Sequence, residues 1–118
     1  MMGDLTKNFN RFEFACKCGC GFDDIDLKVV QALQKLRDKL DKPIHVLSGC
    51  RCTAHNAEVG GAGGSQHLLG KAADITIRDM APADVANNVE GNIPEFANGG
   101  IGRYAGFTHC DIGPKRRW

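Results

Sequence analysis

The sequence predicts a small single α+β domain, a mainly antiparallel sheet packed with helices. Three observations carry that reading. One long stretch repeats its apolar residues at helical spacing, several short β-branched stretches alternate with period two, and two alternating runs near the end are joined by a tight bend. With 118 residues, 42% of them hydrophobic, the chain has room for one domain and one small core.

Taken in order, Phe12 and Phe14 alternate with Glu13, as in a short half-buried strand. A cysteine–glycine loop follows, where Gly19 and Gly21 allow positive φ. Asp23, Asp24 and Asp26 offer helix N-caps. Val29, Leu33, Leu36 and Leu40 then mark an apolar stripe of roughly four turns that Pro43 stops. Ile44 to Ser48 reads as a strand, with His45 a structural or surface residue. Thr53 to Val59 reads as a short helix capped by Thr53. After the loop Gly60-Gly61-Ala62-Gly63-Gly64, Lys71 to Ile77 reads as a strand. Ala72, Asp74 and Thr76 lie on one face and Ala73, Ile75 and Ile77 on the other. Pro82 opens a second helix ending near Gly91 or Pro94. Asn98-Gly99-Gly100 is a turn, and Ile101–Tyr104 with Phe107–Ile112 form a hairpin bent at Ala105-Gly106.

A net charge of +1 argues against a general nucleic-acid binder. The one basic run, Lys115-Arg116-Arg117, reads as a solvated tail. No apolar run approaches the ~20 residues of a membrane span. The first seven residues lack the apolar centre of a secretory signal, so synthesis in the cytoplasm is expected. Six cysteines, at 16, 18, 20, 50, 52 and 110, leave three readings open: reduced structural thiols, one or two disulfides, or a second, structural zinc.

The chemistry gathers around Ser65-Gln66-His67-Leu68-Leu69-Gly70-Lys71-Ala72-Ala73-Asp74, which sets an imidazole and a carboxylate seven residues apart. Phe107-Thr108-His109-Cys110-Asp111 supplies a second pair. Zinc takes nitrogen and carboxylate ligands in a tetrahedron, and a catalytic site leaves one position open, so His67, Asp74 and His109 suffice. Side chains alternate on a strand, so Asp111 shares the face of His109, where it either serves as a base or fixes the imidazole. From spacing alone H-x6-D is a weak signal, and each histidine is as readily a hydrogen-bonded structural residue.

Read together, Ser48-Gly49-Cys50-Arg51, His55-Asn56, Ser65 to Asp74, Gly99 to Tyr104 and Phe107 to Gly113 resemble the M15 zinc peptidases. These include D-alanyl-D-alanine carboxypeptidases and related peptidoglycan peptidases of bacteria and their phages, and the M15A type is most similar. The resemblance runs from about Phe12 to Trp118. It implies the compact α+β fold shared with hedgehog signalling domains and with DD-peptidases, and it implies Zn2+ on His67, Asp74 and His109. It also implies that Arg51 lines the cleft and holds a carboxylate or carbonyl of a peptide, as a guanidinium fork suits. Several members carry an acid three positions before the last histidine ligand; here that position is Gly106. Asp111 is therefore expected to be the base, its rival being an orienting role with another acid, such as Glu58, doing the work.

The implied reaction is hydrolysis of an amide in a peptidoglycan stem peptide, by a carboxypeptidase or an endopeptidase. Asp111 takes the proton from water and returns it to the leaving amine. Ser65, Gln66 and Tyr104 are candidates to touch substrate. A monomer acting on the cell wall is expected, and a phage lysis enzyme, a virion-associated wall enzyme and a bacterial wall-remodelling enzyme all fit. The alternatives are a non-catalytic zinc module that binds cell wall or a protein, and a cysteine-based metal or redox module.

Overall fold

The computed structural model describes residues 3–118. Met1 and Met2, at the head of the stretch read as lacking a secretory signal, lie outside the described residues.

The long periodic segment forms helix α1, Leu27–Leu40, with Asp26 as its N-cap accepting the Lys28 N–H at 2.9 Å. Its stripe of Val29, Val30, Ala32, Leu33 and Leu36 is fully buried. Asp41 closes it in the left-handed region (φ 50°) ahead of Pro43. Strand β1, Ile44–Ser48, follows with a bulge near its end, then the short helix α2, Thr53–Glu58. The cap of α2 is Cys52, whose sulfur accepts the His55 N–H, in place of the expected Thr53.

Strand β2, Ala72–Ile77, precedes helix α3, Pro82–Asn92, and a separate short helix α4, Pro94–Ala97, that buries Phe96. The Asn98-Gly99-Gly100 turn leads into β3, Gly100–Arg103, and the expected hairpin partner is β4, Thr108–Asp111. A last strand, β5, is Arg116–Arg117. The sheet order is β1-β2-β4-β3-β5, antiparallel throughout except for the parallel β3–β5 pair. Among the described residues no helix is long and apolar enough to cross a membrane.

Two further expectations fail. Arg11–Phe14 is a 3-10 turn, not a strand: Phe14 enters the core while Phe12 is 74% exposed. The turn is held locally, since the Glu13 carboxylate accepts the Asn10 N–H at 2.7 Å. The aromatic partner of Phe14 is Phe9, ring centroids 5.9 Å apart, so alternation through Phe12 was misleading. Nor is the basic run a free tail. The Arg117 guanidinium donates to the carbonyls of Gly99 and Ala97 and to the Glu90 carboxylate. The Ala97 carbonyl is one left over where α4 ends, and the cation suits it, while the Gly99 carbonyl also accepts the Arg116 N–H.

The sheet has two unlike faces. Ala73, Ile75, Ile77, Ile101 and Cys110 join the residues of α1, α3 and α4 in one hydrophobic core. The other face carries Ala72, Asp74, Gly100, Gly102, His109 and Asp111, as alternation requires.

Candidate metal centre

Antiparallel register sets Asp74 directly opposite His109, and Ala72 opposite Asp111. His67 arrives from a 3-10 turn, Gln66–Leu69, that Ser65 caps by accepting the His67 N–H at 3.2 Å. Gly70 ends that turn at φ 67°, and a Cβ there would strike the Asp24 carbonyl oxygen. The turn is thus tied closely to the segment entering α1.

The three side chains meet at buried positions, with His67 1%, Asp74 4% and His109 7% exposed. His67 Nδ1 donates to the Gly49 carbonyl at 2.6 Å, and His109 Nε2 donates to Asp111 Oδ2 at 2.7 Å. Each ring's other nitrogen, His67 Nε2 and His109 Nδ1, faces Asp74 Oδ1, at 3.1 and 2.9 Å. With each ring neutral and protonated on its far side, these two nitrogens and Asp74 Oδ1 would be three lone-pair donors aimed at one point, where a bound cation is favoured. All three lie within 4.8 Å of each other. Two imidazoles and a carboxylate, each ring fixed by a hydrogen bond on its far side, form a donor set suited to zinc with an open position.

The electrostatics follow from the same contacts, made as hydrogen bonds between the rings and the carboxylates. Burial pushes the Asp74 carboxyl up, but hydrogen bonds from His109 and His67 outweigh it and hold the group well below the usual carboxylate range. For His109 burial pushes the imidazole down, while bonds to Asp111 and Asp74 raise it on balance. Burial likewise opposes ionisation of Asp111, yet His109 and the N–H groups of Gly100 and Gly113 leave it lowered.

Arg51 stands beside the carboxylate. It donates to Asp74 Oδ2 at 2.9 Å, to Ser48 Oγ at 3.1 Å and to Asn56 Oδ1 at 3.2 Å. Three of its five N–H groups are so engaged, and two remain. Asn56, itself donating to the Ala62 carbonyl, ties the glycine loop to this arginine.

A cleft of about 800 Å³ opens over the three side chains. Arg51, Ser65, Gln66 and Tyr104 all line it, together with Phe107, Arg116, Arg117 and Trp118. Asp111 does not. Its carboxylate sits behind His109, 1% exposed, with Oδ1 accepting from Gly100 and Gly113 at 2.9 Å each. Gly100 must be glycine, because a Cβ would collide with that carboxylate. Glu58 is at the surface and does not line the cleft either. Apart from Asp74, no carboxylate among the described residues borders it.

Sequence reasoning missed the wall made by Trp118. Its indole lies 4.9 Å from the His109 ring, donates to the Tyr104 hydroxyl at 2.6 Å and carries Arg116 over its face at 4.9 Å. The closeness depends on Gly102, where a Cβ would meet the indole at 2.6 Å. A lone tryptophan after a basic run was the available signal; a residue that costs so much to expose seldom belongs to a free tail.

A family model described as Peptidase M15 matches residues 7–111. The chain belongs to the Peptidase M15 family. M15 peptidases depend on zinc, and the match covers all three candidate ligands of this M15 domain. The match supports a metallopeptidase. No curated protein matches the chain.

Proposed function

We propose that this M15 domain is a zinc peptidase that cuts an amide bond in peptidoglycan stem peptides, with His67 Nε2, Asp74 Oδ1 and His109 Nδ1 as the zinc ligands. The observation that carries the reading is the convergence of those three potential ligand atoms, within 4.8 Å of one another, on the floor of an open cleft. Zinc bound there would act as a Lewis acid and lower the pKa of water toward ~7. The chain's own residues do the rest. Gly49 and Asp111 fix the two rings, and Arg51 holds Asp74 by its outer oxygen so that Oδ1 faces the site.

Arg51 keeps two N–H groups for a substrate carbonyl or carboxylate, and Arg116 and Arg117 add positive charge along the wall. A basic cleft suits a peptide bearing carboxylates. What supports peptidoglycan in particular is the sequence resemblance set out above, and the cell wall is the proposed place of action. Gln66, Tyr104 and Trp118 are positioned to contact the peptide, and Ser65, whose oxygen accepts the capping bond, keeps its O–H to donate.

In this reading Asp111 is a positioning residue for His109 and not the base, since its carboxylate is shut away from the cleft. The lack of any bordering carboxylate besides Asp74 favours a second reading, a zinc module that binds a wall peptide without cutting it. Zinc-loaded protein incubated with muropeptides, with and without chelator, separates the two. Chelator-sensitive products identified by mass spectrometry are expected. Binding without any product would establish the second reading and remove the first.

A further inference from the structure

Outside the His67–Asp74–His109 site, four sulfurs gather from two distant parts of the sequence. Cys16, Cys18 and Cys20 come from the loop after the 3-10 turn, and Cys52 comes from the start of α2. All four lie within 4.8 Å of one another, with Cys16–Cys18 at 3.5 Å and Cys18–Cys52 at 3.6 Å. A disulfide needs ~2.05 Å, and all of these cysteines are free. Around zinc, with bonds of ~2.3 Å, tetrahedral thiolates sit roughly 3.8 Å apart, close to the spacings seen.

We propose that Cys16, Cys18, Cys20 and Cys52 bind a second zinc ion, a structural one, closed by four thiolates. The loop is shaped for it. Gly19 and Gly21 take φ of 82° and 95°, which lets a C-x-C-x-C run curl so that its three sulfurs point inward. The Cys52 N–H donates to Cys16 Sγ and the His55 N–H to Cys52 Sγ, both at 3.4 Å. Backbone donors of this kind favour thiolate over thiol.

The other two cysteines take no part. Cys50 and Cys110 stand apart, buried in the core with thiols pushed up by burial.

The ion would staple the N-terminal loop to the segment Gly49–Cys52. That segment supplies the carbonyl that fixes His67 and the arginine that holds Asp74. The second site would thus set the frame of the first without touching substrate.

Cobalt substitution separates the two sites, because only a sulfur-rich site gives intense thiolate-to-cobalt absorption. The wild-type chain should hold two zinc ions by elemental analysis. His67→Ala/His109→Ala should lose one and keep the cobalt–thiolate band. Cys18→Ser/Cys20→Ser, at two exposed positions, should lose the other together with that band, with circular dichroism reporting whether it folds. Absence of the band from the wild-type chain overturns the proposal even if those variants do not fold. So does an intact mass short of the six-thiol value by the hydrogens of one or two disulfides. Failure of the peptidase reading would instead appear as a retained band without hydrolysis.

Discussion

Asp111 reaches the metal centre only through His109, and that decides what its substitution does. Asp111→Ala should weaken zinc at this site by about 10–100-fold in chelator competition, the usual scale for a lost outer partner of a ligand. Asp111→Asn keeps an acceptor for His109 Nε2 and should lose less. Unchanged zinc affinity with abolished turnover in the asparagine variant would return Asp111 to the role of base. His67→Ala should lower the zinc stoichiometry by one relative to wild type; an unaltered count would remove it as a ligand. Alternation along β2 and β4 puts Asp74 and His109 on one face, whereas His67, on a 3-10 turn, was secured in the candidate set only through the family resemblance. The role of Asp111 was not legible, because alternation says which face a side chain takes and nothing about what stands in front of it. Here His109 stands in front, and the backbone of Gly100 and Gly113 closes in behind.

Among the elements, α1 and the antiparallel strands followed from periodicity, caps and Pro43, all local signals. Leu33, fully buried in α1, should cost about 2–5 kcal/mol on truncation to alanine, read by denaturant unfolding. A loss below 1 kcal/mol would contradict its place in the core. Strand β5 was illegible because two residues carry no periodicity and are held by ion pairs rather than by a pattern. Its anchor is Glu90, lowered by hydrogen bonds from Arg117 first and Arg103 second. A carboxylate with a depressed folded pKa lends stability above the unfolded value, about 4.3, and loses it as pH falls through the lower folded value. Docking of β5 should therefore loosen in acid below about pH 4. Trp118, the chain's one tryptophan, reports it: its emission should shift to the red in acid, and at neutral pH in Glu90→Gln. An emission indifferent to both would mean that Glu90 does not hold the strand.

For the whole molecule, the candidate metal centre is built from β2, β4 and the turn at His67, while one wall of the cleft comes from β5. The two should be separable. Deleting residues 115–118 should leave the zinc in place and raise KM for a peptide substrate, through loss of Trp118, Arg116 and Arg117 from the wall. Loss of zinc on deletion would show instead that the wall supports the ligands. The α+β class and the two-faced sheet could be read from the sequence, but the meeting of residues 51, 67, 104 and 118 around one cleft is a matter of sheet order, which local pattern does not encode. That order leaves the outer side of β3 to β5, where the Arg116 and Trp118 N–H groups donate to the Gly99 and Ile101 carbonyls and the Trp118 carbonyl accepts the Arg103 N–H. β5 is only two residues long, both arginines, and Pro114 stands just before it. Short, charged and interrupted, it makes a poor template for a further strand, so the segment that shapes the cleft also blunts one border of the sheet.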